Sequence, residues 1–483
     1  MIDNLNTLTI AWMALPFFLG FVVFLAPKLD RWLVMTSALA SAAFALLLLL
    51  QKPLINLELL DNFGVQLQVD DLSGYFILTN ALVTMAVLLY CWGTEKSAFF
   101  YGQLTILHGS LNAGFICFDL ISLYVAIEVI SIAAFLLIAY PRSDRTIWVG
   151  LRYLLVSNVS MLFYLVGAVL VYQANHTFSF EGLRGVPVEA FALLFLGLLA
   201  KGGVFVSGLW LPLTHSEAET PVSALLSGIV VKAGIFPLVR LALLLEDVNP
   251  IVRTFGVAAS LLGVVYAMFE KDTKRMLAFH TISQLGFVLA APVAGGFYAL
   301  THGLVKSALF LLAGALPSRS FKDLQHKPLD NRVWIALVIA SLSISGCPLL
   351  AGFVAKGWTT KELLPWEVIP MAIAAVGTAI SFGKFIFLPR GGSSTVRPGV
   401  MWAVGLLIGG LLVGNIVYPQ GYTLSEIVKA LVTIAAGWLL YWLVVRRVSI
   451  KLPKVFEEFD NLIGAMSLML VLLFWVGVSW LGI

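Results

Sequence analysis

Charge is scarce in this chain. Of its 483 residues only 12% are Asp, Glu, Lys or Arg, about half the share found in a soluble domain. A secreted disulfide scaffold, a disordered chain or a nucleic-acid binder needs a polar exterior that such a composition cannot supply. Cysteine is sparse too: Cys91, Cys117 and Cys347 stand far apart in apolar runs, with no C-x-x-C pair and no His-rich neighbourhood. No metal or iron–sulfur site is expected, and the thiols read as buried and inert. Motifs for nucleotide, quinone or flavin are lacking as well, so neither a cofactor nor redox chemistry is expected of the chain itself. The net charge of +4 is too small to imply a polyanionic partner. What is abundant is apolar sequence, 60% of residues with a mean hydropathy of +0.97. The chain reads as an all-α polytopic membrane protein.

Charges, Gly and Pro bound sixteen apolar runs long enough to cross a bilayer, which takes about 17–25 residues each. They are 7–27, 32–50, 72–93, 98–118, 119–140, 149–172, 188–211, 221–245, 250–269, 276–292, 295–316, 333–364, 367–388, 399–417, 424–445 and 462–482. The first basic residue, Lys28, follows the first run, so that run is expected to stay as an anchor rather than be cleaved as a signal peptide. Of the 30 Lys and Arg, nineteen fall in odd-numbered connections and five in even-numbered ones. Basic loops stay on the cytoplasmic side, which puts both termini on the other side.

Six cations remain, and they have no place except within spans: Lys201, Lys232, Arg240, Lys306, Lys356 and Lys384. Each costs roughly 2.5–3.5 kcal/mol at mid-bilayer and needs a polar interior to offset it. Arg240 and Lys384 lie near span ends, where long side chains can reach the interface. Lys201, Lys232 and Lys306 fall near the middle of theirs, as does Glu128, the one acid deep inside a span. His302 and Lys306 are four residues apart and share a helix face, as do His280 and Gln284. A histidine beside a buried lysine suits a proton relay.

Interruptions in the helices fall beside the same lysines. The run 333–364 would be about 48 Å long as one helix, too long for a hydrocarbon core of about 30 Å. Gly346-Cys347-Pro348 is expected to break it shortly before Lys356. Gly202-Gly203 and the segment Leu211 to His215 disturb the seventh run just after Lys201. Spans seven and twelve are five apart, which predicts two five-helix repeats, spans 4–8 and 9–13, inverted in the membrane. The expected divisions are 1–97, 98–245 for the first repeat, 250–388 for the second, and 399–483.

The stretch 210–235, WLPLTHSEAETPVSALLSGIVVKAGI, carries His215 and Lys232 and resembles the signature of the antiporter-like membrane subunits. That family joins proton-pumping subunits of respiratory complex I with large subunits of Mrp-type sodium/proton antiporters and of membrane-bound hydrogenases. LYVAIE ending at Glu128, KRMLAFHTISQLG over 274–286, HGLVKSALF over 302–310 and GCPLLAGFVAK ending at Lys356 are similar to the same family, so the likeness covers about residues 70–390. The resemblance implies a fourteen-helix core with broken helices seven and twelve. It implies that Glu128 and Lys201 form the coupling pair of one half-channel, that Lys232, His302 and Lys306 form a central axis, and that Lys356 serves the exit. Other membrane subunits would be its partners, with protons and in some members Na+ as cargo. Any oxidoreductase label would belong to the whole complex. A prokaryotic inner membrane or a thylakoid membrane would be its place.

Two departures bear on the comparison. Gln284 stands where many members have His, so a direct relay there is not expected. The connection 446–461 would span only about 24 Å as a helix, too short for the long lateral helix of complex I's largest member. Lys rather than Glu in span twelve favours the D-type member of Mrp antiporters and the related complex I subunits 4 and 2. Membership of an Mrp-type antiporter is the expected reading, and a complex I-like or hydrogenase pumping role the alternative.

Overall fold

The computed structural model describes residues 2–59, 64–392, 396–418, 421–448, 450 and 452–481. Met1, Ile483 and position 482 of the last expected run lie outside the described residues. The chain folds into helices α1 (Ile2–Leu25), α2 (Asp30–Gln51), α3 (Asp71–Cys91), α4 (Ala98–Gly114), α5 (Leu120–Ile138), α6 (Asp144–Asn175) and α7 (Val188–Gly202). There follow α8 (Leu211–Glu217), α9 (Thr220–Leu225), α10 (Lys232–Leu244), α11 (Asn249–Phe269), α12 (Thr273–Ala290), α13 (Pro292–Ala313) and the single turn α14 (Phe321–Leu324). The last set is α15 (Asn331–Ser345), α16 (Ala351–Lys361), α17 (Pro365–Ile386), α18 (Pro398–Val417), α19 (Leu424–Leu440) and α20 (Phe459–Leu481). A hairpin that hydropathy gave no sign of, Ile55–Glu58 paired antiparallel with Gln66–Val69, closes the connection between α2 and α3.

Twelve helices among the described residues are long and apolar enough to cross a membrane, or thirteen with the bent pair around Gly203 counted as one. The expectation of sixteen exceeds this for physical reasons. Helix α4 has 17 residues and α15 has 15, and α12 carries Lys274, Arg275 and His280 among its apolar residues. Each of these still coincides with one of the sixteen apolar runs.

Helix starts follow local chemistry. Asp70, Asp119, Ser143 and Asp272 accept hydrogen bonds from backbone N–H groups in the first turns of α3, α5, α6 and α12, satisfying donors that have no partner inside the helix. The two breaks follow backbone geometry. Gly203 at φ +67° ends α7, and the path turns by 43° into a short tight turn, Phe205–Gly208, and α8. Gly346 at φ +86° ends α15, and the chain resumes helix only at Ala351. Both positions sit in the left-handed region that glycine enters without steric cost.

Burial is graded. The span Thr220–Leu244 and helix α13 are enclosed over their whole apolar windows, and α3 over 83% of its window, whereas α19 is enclosed over only 17%. A helix enclosed on every side can carry polar groups only if other helices meet them. Small residues let those helices approach: a Cβ on Gly234 of α10 would come within 2.6 Å of the Leu198 carbonyl oxygen on α7. The C-terminal helices lie outside this centre. Helix α19 packs on α17, whereas α20 crosses to α7 and the turn Phe205–Gly208. The link between them is fastened by Glu457, whose carboxylate accepts from Arg275 at 2.7 and 2.9 Å and whose carbonyl accepts from Arg152.

Candidate functional site: a file of buried amines

Lys201 stands in the last turn of α7, 2% exposed, and its Nζ donates to Ser131 Oγ at 2.6 Å, Ser157 Oγ at 2.9 Å and the Tyr153 hydroxyl at 3.0 Å. An ammonium has three N–H donors, so every one is met by a neutral oxygen. The hydroxyl of Ser131 donates in turn to the Ile127 carbonyl at 2.7 Å, leaving its lone pairs for the amine. The break after Lys201 is held as well, because Trp210 Nε1 donates to the Ala200 carbonyl at 2.9 Å. Glu128 does not touch Lys201: no ion pair joins them within 4.0 Å among the described residues, and Glu128 Oε1 is buried without a partner. Ser131, one turn along α5 on the same face, stands between their roles.

The second station is Lys232. The turn before it, Leu226–Val230, is widened into a π-turn in which the Val231 N–H reaches the Leu226 carbonyl at 3.2 Å. Such turns free backbone groups for side chains. The Lys232 amine donates to the Gly228 carbonyl and lies 3.3 Å from His302 Nδ1. One helical turn beyond His302 on α13, Lys306 donates to the Leu277 carbonyl at 2.7 Å and sits 5.6 Å from the centre of the Phe382 ring. Lys232 and Lys306 are wholly buried and His302 is 2% exposed, with its Nε2 unpartnered. The structure therefore brings Lys232 and His302 into contact, with Lys306 one turn further along α13.

From His302 the file continues to Lys356. A cavity of about 10 Å³, room for roughly one water, is lined by His302, Gln284, Tyr298, Ser343 and Lys356. Gln284 accepts from the Tyr298 hydroxyl at 2.8 Å and its Nε2 lies 3.4 Å from Thr378 Oγ1. The Gln284 amide is thus held between α13 and α17. Lys356 Nζ is buried with no hydrogen-bond partner and lies 5.5 Å from the Phe287 ring centre. The glycine at the break makes space for its chain, since a Cβ at Gly346 would meet Lys356 Cδ at 2.9 Å.

Of the other expected residues, His280 shares the Phe382 ring with Lys306. His215 and His280 are fully buried with all ring nitrogens unpartnered, His215 between Trp210 and Phe310 and His280 against Phe382. Arg240 and Lys384 meet acceptors within the protein. Arg240, 7% exposed, forms a two-pronged ion pair with Asp70 and donates to Ser73 Oγ at 3.0 Å, so it locks α10 onto the start of α3. Lys384 donates to the Ala267 and Glu270 carbonyls and closes the C-terminus of α11.

Sequence reasoning missed the hydroxyls around Lys201, although Tyr153 and Ser157 at i and i+4 on an apolar helix were a readable signal. It also missed a buried polar cluster between α2, α3 and α4, in which His108 Nε2 lies 2.9 Å from Ser41 Oγ and Nδ1 lies 3.2 Å from Thr84 Oγ1. Both ring nitrogens are satisfied there, which marks the cluster as a fastening of the N-terminal helices. Among the described residues, no group of His, Cys, Asp and Glu could hold a metal ion.

The geometry defines a class: a polytopic helical membrane protein with amines aligned along its buried middle. Comparison with known proteins agrees. Residues 117–381, more than half of the chain, match the family described as NADH:quinone oxidoreductase/Mrp antiporter, TM, and the chain belongs to that family. It is 28% identical over 326 residues to the D component of the Na(+)/H(+) antiporter of Alkalihalophilus pseudofirmus, covering 61% of this chain and 66% of that protein. It is 27% identical over 384 residues to the N component of the NADH-quinone oxidoreductase of Desulforudis audaxviator, covering 70% and 76%. Hydrogenase-4 component B of Escherichia coli is 28% identical over 343 residues, 62% of this chain and 51% of that protein. The chain thus spans only part of these relatives, half to three quarters of their length. In fold it is similar to a chain of the Mrp complex from Dietzia sp. DQ12-45-1b, with TM-score 0.76, 24% identity and coverage of 98% and 59%. A chain of an archaeal membrane-bound sulfane sulfur reductase matches with TM-score 0.75, 21% identity and coverage of 90% and 98%.

Proposed function

We propose that this chain translocates protons as one membrane subunit of a multi-subunit complex of the Mrp antiporter type. The observation that carries the reading is the file itself: Lys201, Lys232, His302 and Lys306 are buried, as is the amine of the half-buried Lys356, and none of the four lysines is paired with a carboxylate within 4.0 Å among the described residues. Permanent buried cations would need such partners. Amines that gain and lose a proton are suited by hydroxyls, carbonyls and imidazoles. Protons enter at Glu128 and Lys201, pass Lys232, His302 and Lys306, and leave through Lys356, while Gln284 and Tyr298 position water between the last two.

The same reading has sixteen passes in all, two inverted units at 98–245 and 250–388 flanked by 1–97 and 399–483, and both termini away from the cytoplasm. The matching order of elements, with a broken helix bearing a lysine late in each unit, supports it. Partners would be other membrane subunits, in a prokaryotic inner or thylakoid membrane. The test replaces Lys201, Glu128 or Lys356 by Ala in the assembled complex and follows proton flux in vesicles. Wild-type flux with normal assembly would refute the roles.

A second reading, the pumping subunit of a quinone reductase, is favoured by the broad match to the Desulforudis protein. Vesicles distinguish the two: an imposed Na+ gradient drives flux in the first case, and only a redox substrate does so in the second.

A further inference from the structure

A cavity of about 310 Å³ opens from Lys356, lined on one side by α16 and α17 and on the other by Glu426, Lys429, Ala430 and Thr433 of α19. Helix α19 lies beyond the matched family region, which ends at residue 381. Those four residues fall at i, i+3, i+4 and i+7, a single stripe of the helix, so one whole face of α19 is turned to the cavity. The volume holds a chain of waters, since a single one needs roughly 10–15 Å³ of such space. Lys356 Nζ is buried, has no hydrogen-bond partner and belongs to the cavity wall. At the start of α19, Glu426 accepts from Lys429 at 3.0 Å, with the carboxylate side chain 15% exposed and the lysine 62% exposed. Of the two cavity-lining residues the acid is therefore the more enclosed, and the base reaches into the open. The approach to α19 is fixed to the helix break as well: the Tyr422 hydroxyl accepts from the Leu349 N–H at 2.8 Å and its ring lies 4.8 Å from that of Phe353.

We propose that α19 forms the outer wall of the outlet beyond Lys356, and that Glu426 accepts the proton which Lys356 releases and hands it to bulk water. In the transfer the Lys356 ammonium loses one proton through intervening water and the Glu426 carboxylate gains it. The carboxyl group then gives the proton to water at the mouth while Lys429 holds the negative charge that is left. This inference rests on the proton-translocation reading above.

The experiment uses the assembled complex in vesicles. A positioned proton-transfer group contributes about 100-fold or more where nothing replaces it. Water in a wet cavity replaces it in part, so Glu426→Gln is expected to lower flux about tenfold while Glu426→Asp keeps most of it. Ala430→Trp, which fills the cavity from α19, should lower flux likewise. A Thr433→Cys variant in a Cys347→Ala background keeps the test independent of assembly, because a water-soluble thiol reagent added afterwards should block flux. If Glu426→Gln, Ala430→Trp and the labelled Cys all run at the wild-type rate while Lys356→Ala stops flux, the outlet is elsewhere and the inference falls alone. If Lys356→Ala also runs at the wild-type rate, the translocation reading falls with it.

Discussion

Replacing Tyr153 by Phe removes one of the three oxygens around the Lys201 amine and leaves the ring in place. A hydrogen bond to a charged group contributes about 1.5–3 kcal/mol. In the enclosed pocket formed by Ser131, Ser157 and Tyr153, no other side-chain oxygen among the described residues hydrogen-bonds to Lys201 Nζ. The equilibrium between neutral and protonated Lys201 then moves about 10- to 100-fold away from the protonated form, since about 1.4 kcal/mol is a factor of ten. Flux that passes through that form should fall by a similar factor. Ser131→Ala and Ser157→Ala should act in the same direction, and the double variant more strongly than either, because the two hydroxyls also bond each other at 2.9 Å. The assay is proton uptake by vesicles containing the assembled complex, with subunit content measured in parallel. Undiminished flux in Tyr153→Phe and in the double serine variant, beside loss of flux in Lys201→Ala, would refute the idea that neutral oxygens hold this amine charged.

Gly346→Ala forces an L residue into φ +86°, at a cost of about 1–2 kcal/mol, and pushes on Lys356. It should lower flux more than Gly357→Ala, where a Cβ meets nothing within 4 Å. Glu457→Ala removes the carboxylate that Arg275 binds and should lower unfolding free energy by about 2–3 kcal/mol, read as a lower melting temperature in detergent. Acidification should act on the neighbouring Glu270, outside the spans. Burial pushes its carboxyl up, but the Arg275 guanidinium and the Lys271 and Asp272 N–H groups outweigh that and hold it below the usual carboxylate range. The stabilisation is then complete above that range and is lost as pH falls through the depressed folded value. The melting-temperature gap between wild type and Glu270→Gln should be wide at pH 7 and close below about pH 4. A gap independent of pH would refute the assignment.

How much could be read beforehand differs from residue to residue. Lys201, Lys232, Lys306 and Lys356 stood out because a charge in an apolar run is costly anywhere except against other polar groups. Gly346 stood out because an overlong run must bend somewhere, and Gly203 because it forms a Gly-Gly pair just after a lysine in an apolar run. The cradle of Lys201 did not, because Ser and Tyr are unremarkable in apolar helices and only the packing of α5, α6 and α7 shows which of them converge. The partner of Arg240 did not stand out either, because Asp70 lies 170 positions away in the chain. The π-turn before Lys232 has no signature in composition: Leu226–Val230 could equally have continued as ordinary helix.

Helix α20 returns from the far end of the chain to lie against α7 and the turn Phe205–Gly208, and so acts as a splint across the 43° joint after Lys201. A splinted joint stays bent. For the proposed proton path, such a clamp favours passage by rearranging hydrogen bonds and solvent over passage by swinging a helix.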